Sequence, residues 1–183
     1  MVEKFGLNET VFRKKFIMSQ DEIVVIVDEK NNIIGAETRS EMRSKGLIHR
    51  AAYILVFNSA GSIFVQKRTM SKDVYPGYYD IAAGGVVLYG ETYDESAIRE
   101  LEEELGIRDV PLTSLFDFYH KDEKNRIWGR VYKCVYDGEI VLQKEGVESG
   151  SFHEVDEVIR MSENELYTPD GLYVLKRYIT DEI

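Results

Sequence analysis

A helix with clear start and stop signals constrains this chain more than any other sequence feature. Thr92 and Glu95 have the spacing of a capping box, in which each side chain satisfies the backbone N–H of the other. Gly106 stands where a left-handed cap ends a helix, so the sequence predicts a helix between these signals. The apolar residues at helical spacing, predicted to face the core, are Ala97, Ile98, Leu101 and Leu105.

Three glutamates share another arc of this predicted helix. Glu100, Glu103 and Glu104 stand at positions i, i+3 and i+4, and no Lys or Arg follows them at i+4. Like charges at this spacing destabilise a helix, so the carboxylates must take up protons or share a cation. Mg²⁺ suits them because it prefers oxygen ligands and keeps positions for water and substrate phosphates. A solvated acidic helix face is the alternative interpretation of these three residues alone.

The remaining pattern predicts a single domain at 21–183 after a polar N-terminal extension at 1–20. Strands are predicted at 23–27, 33–34, 51–57, 62–66, 78–82, 112–119, 127–136 and 140–142. Helices are predicted at 40–45, after a second capping box at 162–165, and from Thr168-Pro169 onward with Leu172, Leu175 and Ile179 inward. This mixture favours a mixed β-sheet covered by helices, in the α/β or α+β class.

Composition excludes several classes of protein. The net charge of -10 gives the chain no overall electrostatic reason to bind nucleic acid or an anionic membrane. A single cysteine, Cys134, permits no intrachain disulfide. The longest apolar run, 23–27, is too short to cross a bilayer, and no secretory signal is evident at the N-terminus. We therefore expect a cytoplasmic protein.

The segment 85–107 matches a known motif at every defined position. Gly85, Glu91 and the run from Arg99 to Ile107 reproduce G-x5-E-x7-R-E-U-x-E-E-x-G-U, where U is an aliphatic residue. This is the Nudix box, and the sequence resembles a Nudix hydrolase. The resemblance implies an α/β/α sandwich around a mixed β-sheet. It also implies hydrolysis of a diphosphate linkage in a nucleoside diphosphate derivative or a related small-molecule diphosphate.

The resemblance also implies roles for individual residues. In the family, the glutamates matching Glu100, Glu103 and Glu104 bind Mg²⁺ or Mn²⁺, often with the carbonyl of the residue before the box, here Gly84. The metal neutralises phosphate oxygens and lowers the pKa of the attacking water, while a carboxylate accepts its proton. The residues matching Arg99 and Glu91 form a supporting ion pair that orients the catalytic helix.

A second resemblance lies in short upstream motifs, namely Val27-Asp28-Glu29 with Ile34-Gly35, Leu47-Ile48-His49-Arg50-Ala51, Gln66-Lys67-Arg68, Lys72 and Tyr75-Pro76-Gly77. These motifs look like those of the type I isopentenyl-diphosphate isomerases, which share the Nudix fold. In those enzymes the residues matching Arg68 and Lys72 contact the substrate diphosphate, as two long cations at this spacing can. The isomerase cysteine falls on Gly84, however, and a metal-binding histidine falls on Val86. Without that thiol the isomerase chemistry has no evident proton-transfer group, so we favour hydrolysis.

Several further expectations complete the sequence interpretation. Glu145 and Glu148 are candidates for an additional loop carboxylate at the site, and either could instead be solvated. Trp128 is a candidate for stacking on a substrate base, although most such aromatic residues pack in the core. A homodimer is possible. A Nudix-fold module that only binds ligands is a further alternative, although such modules commonly lose catalytic carboxylates and this box is complete.

Overall fold

The computed structural model describes residues 20–181. The extension predicted at 1–20 therefore lies, apart from its last residue, outside the described residues. The described strands are β1 Ile23–Val27, β2 Ile33–Thr38, β3 His49–Phe57, β4 Ile63–Arg68, β5 Tyr79–Asp80, β6 Ala83–Val86, β7 Thr113–Lys121, β8 Arg126–Val135 and β9 Val147–His153. The described helices are α1 Arg39–Ser44, α2 Tyr93–Leu105, α3 Val155–Met161 and α4 Pro169–Thr180.

The long strand β3 forms the centre of a mixed sheet. It pairs in parallel with β8 along its whole length and antiparallel with β1, β4 and β6. The outer strands are added by antiparallel pairing: β2 on β1, β5 and β9 on β4, and β7 on β8. Because both of its faces are covered, β3 reads as a nearly continuous run of buried residues.

Helices cover both faces of this sheet. Ala52, Ile54 and Val56 of β3 pack with the buried side of α2. The alternate residues of β3, including Tyr53 and Leu55, pack on the other face with α3 and α4. This period-two division of one strand between two cores confirms the predicted layered α+β fold with a mixed sheet. None of the described helices is long and apolar enough to cross a membrane.

Four details of the predicted secondary structure were wrong. The segment 140–142 is not a strand, and the next strand along the chain is β9. Residues 78–82 do not form one strand, because β5 and β6 are separate. The capping-box pattern at 162–165 forms turns after α3 rather than opening a helix, and its backbone N–H groups donate to carbonyls of α3. Ile98 and Ile179 are exposed rather than in the core.

His49 at the start of β3 makes stability depend on pH. The side chain is 1% exposed, and burial, with a contribution from Arg43, lowers its pKa to about 3. In the unfolded chain its pKa is about 6.5, so between these values the unfolded state holds one more proton. This histidine alone should therefore lower the free energy of unfolding by about 1.4 kcal/mol for each pH unit of acidification below 6.5.

The variant His49→Gln tests this dependence. We expect its free energy of unfolding in urea to fall less steeply than that of the wild type between pH 6.5 and pH 4.5, whatever the cost of the substitution at pH 7. Equal slopes for the two proteins over this range would contradict the assignment of a neutral, buried His49.

Candidate active site

A cavity of about 450 Å³ lies beside β6 and α2. Its lining combines side chains from α1, β3, β4 and α2 with residues of two loops, 71–75 and 143–146. The volume lies in the range of pockets that bind small organic ligands. All three glutamates predicted to bind metal, Glu100, Glu103 and Glu104, line this cavity.

The capped helix α2 positions these glutamates. The Thr92 hydroxyl accepts from the Glu95 N–H, the Glu95 carboxylate accepts from the Thr92 N–H, and Gly106 ends the helix at φ 68°. Leu101 and Leu105 are buried in the core. Anchoring this side of α2 places Glu100 and Glu104 in the cavity wall, whereas Glu103, which also lines the cavity, is exposed to solvent.

Glu104 lies deepest in the cavity wall. Its side chain is 5% exposed and accepts from the Gly84 N–H at 3.1 Å and from Lys72 Nζ at 3.1 Å. Gln66 Nε2 of β4 donates to the same carboxylate at 3.2 Å. Burial raises the pKa of Glu104, but Lys72 and the hydrogen bonds from Gly84 and Gln66 outweigh it and hold the pKa below its usual value. Glu104 is therefore charged at neutral pH.

Glu100 behaves differently although it lies on the same helix. Its side chain is 13% exposed and accepts from Arg99 Nη1 at 2.7 Å. Burial, followed by the negative charge of Glu104, raises the pKa of Glu100 to about 7 against the opposing effect of Arg99. Two carboxylates of one site thus have pKa values moved in opposite directions, an arrangement common in catalytic sites.

Arg99 links this carboxylate to the loop before the helix. Its Nε and Nη2 atoms donate to the two carboxylate oxygens of Glu91 at 2.8 and 3.0 Å. Nη1 of the same guanidinium also lies 3.4 Å from Glu103, whose side chain is 52% exposed. The Leu88 N–H donates to the Glu91 carboxylate at 3.1 Å, so Glu91, the acidic member of the pair, is also held in place. The predicted supporting pair of Glu91 and Arg99 therefore forms a forked ion pair at the base of the site.

Arg68 and Lys72 also line the cavity, and both are already engaged. Arg68 Nη1 lies 3.2 Å from Asp80 Oδ2, and the guanidinium donates to the carbonyls of Val74 and Tyr75. Lys72 pairs with Glu104, as described above. Both predicted phosphate-binding cations thus line the same cavity as the three glutamates. In the structure, each of them forms an ion pair with a carboxylate of the chain.

The remaining predicted site residues separate into two groups. Glu145 lines the cavity, and its carbonyl accepts hydrogen bonds from the hydroxyls of Thr69 and Ser71. Glu148 lies instead on β9, 3.7 Å from Lys67, and is not among the lining residues. Trp128 packs against Tyr119 with ring centroids 5.5 Å apart, and it too is absent from the lining. Of these three residues, the structure therefore brings only Glu145 to the cavity.

Sequence reasoning missed Gln66 and Asp80. Gln66 is not among the residues that line the cavity, but its side-chain amide on β4 donates to the Glu104 carboxylate in the cavity wall. The strand ends in three consecutive polar residues, Gln66, Lys67 and Arg68, so no alternation in the sequence distinguished Gln66. Asp80 is 9% exposed, and burial raises its pKa to about 6 against the lowering effect of Arg68. No sequence spacing connects it with the box.

The donor types at this site fit a hard divalent cation. Glu100, Glu103 and Glu104 provide carboxylate oxygens. Burial first, and then the charges of Glu104 and Glu103, raise the pKa of Glu100, and a bound cation would offset these effects. In the described part of the chain, however, no three His, Cys, Asp or Glu side chains are already gathered closely enough to hold a metal ion. Lys72 pairs with Glu104, and Arg99 pairs with Glu100 and Glu103, so a cation at this site would compete with these ion pairs.

Comparison with known proteins identifies relatives over most of the chain. An uncharacterized Nudix hydrolase of Pseudomonas aeruginosa, PA4841, is 44% identical over 161 residues, which cover 88% of this chain and 95% of that protein. The uncharacterized Nudix hydrolase YfcD of Escherichia coli K12 is 41% identical over 158 residues, covering 86% of this chain and 87% of that protein. The likeness to the isomerases gains no support from these relatives.

Solved structures share the fold. A protein of Deinococcus radiodurans, DR0079, superposes with a TM-score of 0.76 at 23% identity, covering 85% of this chain and 98% of that one. The Nudix domain of Shewanella oneidensis NrtR, solved with ADP ribose, has a TM-score of 0.59 at 13% identity and covers 80% of this chain and 100% of that one. The family model described as the NUDIX domain matches residues 47–181. Together with the close relatives, that match shows that the chain belongs to the Nudix hydrolase family.

Proposed function

We propose that this Nudix hydrolase uses a divalent metal ion, Mg²⁺ or Mn²⁺, to cleave the diphosphate linkage of a small organic diphosphate, most simply a nucleoside diphosphate derivative. The family acts on nucleoside diphosphate derivatives and its members generally use divalent metal ions. The observation that carries the proposal is the meeting of the three box glutamates with Lys72 and Arg68 in one cavity. Cytoplasmic location and homodimer formation stay predictions.

Glu100, Glu103 and Glu104, with the Gly84 carbonyl, would hold the metal. When bound, the ion would neutralise phosphate oxygens and lower the pKa of a coordinated water. The chain's own groups would prepare the site for it: Arg99 aims Glu100 and Glu103 along α2. The Gly84 N–H and Gln66 fix the carboxylate of Glu104. A fixed carboxylate loses less entropy on binding a ligand than a mobile one.

Lys72 and Arg68 would bind the substrate phosphates. Lys72 pairs with Glu104 in the structure, and if Glu104 held a divalent cation, the Lys72 ammonium would be free to face a phosphate oxygen. Arg68 is held more firmly, because Asp80 and two carbonyl oxygens fix its guanidinium at the cavity wall. Its remaining donor directions are those that a diphosphate could use.

Glu100 is the group best placed to accept the proton of the attacking water. It lines the cavity beside Glu103 and Glu104, and a carboxylate in this position can take up a proton from a water held next to it. Arg99 donates a hydrogen bond to the Glu100 carboxylate and would keep it oriented while the proton moves.

The direct test is hydrolysis of a panel of diphosphates by the full chain. The panel includes nucleoside di- and triphosphates, dinucleoside polyphosphates, nucleotide sugars, ADP ribose, NADH, coenzyme A and isopentenyl diphosphate, each with Mg²⁺, with Mn²⁺ and with EDTA. We expect phosphate-containing fragments from at least one member, only with metal. Double-bond migration in isopentenyl diphosphate would contradict hydrolysis and support the isomerase, and binding without turnover would support the ligand-binding module.

Gly85 provides a further test, because its small size leaves room for Glu100. A Cβ atom at this position would lie 2.3 Å from Glu100 Oε1 and would force the carboxylate aside. We expect Gly85→Ala to lower kcat on the best substrate roughly 10- to 100-fold while changing the midpoint of urea unfolding little, since a flexible side-chain end can move. Gly35→Ala is the matched control, because no atom lies within 4 Å of its added Cβ. Equal kcat for Gly85→Ala and the wild type would contradict the role of Glu100.

A further inference from the structure

The cavity extends beyond the glutamates to a second cluster of positive charge on α1. Arg39 and Arg43 stand four residues apart on this helix, and both line the cavity that also contains Glu100 and Glu104. Residues four apart on a helix share one face, so the two guanidinium groups are neighbours. Asn125, after the β7–β8 turn, also lines this end and accepts a hydrogen bond from Arg43 Nη1.

Most of the positive charge in this cavity is already paired. Arg39 pairs with Glu22 at 3.2 Å, and Arg68, Lys72 and Arg99 have the carboxylate partners given above. Arg43 forms no ion pair with any carboxylate between residues 20 and 181. Asp73 faces it at longer range, and Gln20 Nε2 donates to that carboxylate at 3.0 Å. Arg43 thus has no ion-pair partner at contact distance among the described residues, and only the more distant Asp73 offsets its charge.

Hydrogen-bond donors are also left over at this end. The Nε atoms of both Arg39 and Arg43 are buried and have no hydrogen-bond partner among the described residues. A buried donor without a partner costs free energy, and for a guanidinium the cost is larger than for a neutral group. Burial, with the nearby charges of Arg39 and Arg68, lowers the pKa of Arg43 to about 10. An oxyanion in the cavity would compensate the positive charge of the two guanidinium groups and so offset part of this cost.

From this geometry we infer an anion subsite formed by Arg39 and Arg43 at the α1 end of the cavity. It binds a second anionic group of the substrate, a phosphate monoester or a carboxylate, that is separate from the diphosphate held near Glu100 and Glu104. The inference rests on the proposed function, because it assumes that the diphosphate occupies the glutamate end. A guanidinium suits either anion, since its planar fork matches two oxygens at once.

Matched substrate pairs test this subsite. NADPH and NADH differ by one remote phosphate, and UDP-glucuronate and UDP-glucose differ by one remote carboxylate. For at least one pair, we expect the wild type to have a kcat/KM about tenfold or more higher for the member with the extra anion. In Arg43→Gln this ratio should fall toward one. Arg108→Gln is the control, because Arg108 is 69% exposed, pairs with Glu102 and is outside the cavity lining.

A binding measurement without metal separates this proposal from the hydrolase proposal. Inorganic phosphate is titrated calorimetrically into the full chain in EDTA, with wild type, Arg39→Gln, Arg43→Gln and Arg108→Gln, whose folding is checked by circular dichroism. We expect phosphate to bind the wild type and Arg108→Gln alike, and at least about tenfold more weakly to either cavity variant. If Arg43→Gln does not fold, the phosphate affinity of Arg39→Gln is compared with that of the wild type instead.

The outcomes are distinct for the two proposals. If no diphosphate is hydrolysed but phosphate binding depends on Arg43, the hydrolase proposal fails, and Arg39 and Arg43 form an anion site without the proposed role in binding a diphosphate substrate. If hydrolysis occurs but both substrate ratios are near one, and phosphate binding is absent or unchanged in the cavity variants, the subsite is overturned. A preference confined to the NADPH pair identifies a phosphate ligand, and one confined to the UDP-glucuronate pair identifies a carboxylate.

Discussion

The double variant Glu103→Gln, Glu104→Gln is expected to hydrolyse its best diphosphate substrate with a kcat lowered on the order of a thousandfold. Each amide keeps the size of the carboxylate but carries no negative charge, so the pair can no longer neutralise a divalent cation. Glu104 is the more sensitive position, because it is 5% exposed and receives hydrogen bonds from Gly84, Gln66 and Lys72. The measurement is the initial rate of phosphate release at saturating substrate and Mg²⁺ or Mn²⁺.

Glu102 provides the matched control on the same helix. It is exposed and pairs with Arg108 at 2.7 Å, away from the cavity. Glu102→Gln removes the same kind of charge from α2 and should retain the kcat of the wild type. If the double variant also retains it, with circular dichroism showing that both variants are folded, the glutamates do not carry the reaction.

Gly84→Ala is expected to cause the largest loss of stability, about 3 kcal/mol or more in the free energy of unfolding. Gly84 pairs with Tyr53 of β3 and has a φ of 152°, which a side chain rarely permits. An added Cβ would lie 2.0 Å from the Ala52 carbonyl oxygen, and this atom belongs to the central strand and cannot turn aside. The strain therefore separates β6 from β3 or distorts both strands.

Urea unfolding followed by circular dichroism checks this expectation. The comparison is with Gly35→Ala, whose added methyl group meets no atom within 4 Å and which should unfold near the wild-type midpoint. Gly85→Ala should lie between these extremes, because its clash is with a movable carboxylate. A Gly84→Ala protein as stable as the wild type would show that β6 does not approach β3 as described.

The signals that predicted the fold correctly are local ones. The capping box of Thr92 and Glu95 and the left-handed cap at Gly106 fixed both ends of α2. The apolar run from Ala51 to Phe57 indicated a strand, and the structure shows it as the central part of β3, buried on both faces. These predictions succeeded because the residues concerned interact within one or two turns or along one strand.

The predictions that failed needed contacts distant in sequence. The apolar pattern at 140–142 suggested a strand, yet the neighbour of β4 in the sheet is β9, whose middle residues are small and polar. The segment of β9 becomes a strand because it pairs with β4, and not because its own residues have a high β propensity. The capping-box pattern at 162–165 likewise does not start a helix. The helix α3 ends just before it, and the backbone N–H groups of 162–165 donate to carbonyl oxygens of α3.

The candidate site was predicted in part for the same reason. The three glutamates and Gly84 lie within 21 residues, and their approach follows from the helix and the adjacent strand. The partners of Glu104 could not be foreseen, because Gln66 and Lys72 come from β4 and the loop after it. Arg39 and Arg43 carry no motif and reach the cavity only through the tertiary position of α1.

The acidity of the chain has a local explanation in this structure. Residues 85–107 contain seven acidic residues and one basic residue, within a chain of net charge -10. The structure balances part of this charge with Arg99 inside the segment and Lys72 outside it. A divalent cation bound by Glu100, Glu103 and Glu104 would balance more of this negative charge.

Binding of Mn²⁺ to the metal-free full chain, followed by electron paramagnetic resonance, tests that claim most directly. The measurement needs no substrate, and unbound Mn²⁺ is counted from its signal. We predict that the wild type and Glu102→Gln bind Mn²⁺ alike and that Glu103→Gln, Glu104→Gln binds it at least about 100-fold more weakly. Equal affinities for the wild type and the double variant, or no binding to the wild type, would contradict the assignment of these glutamates as metal ligands.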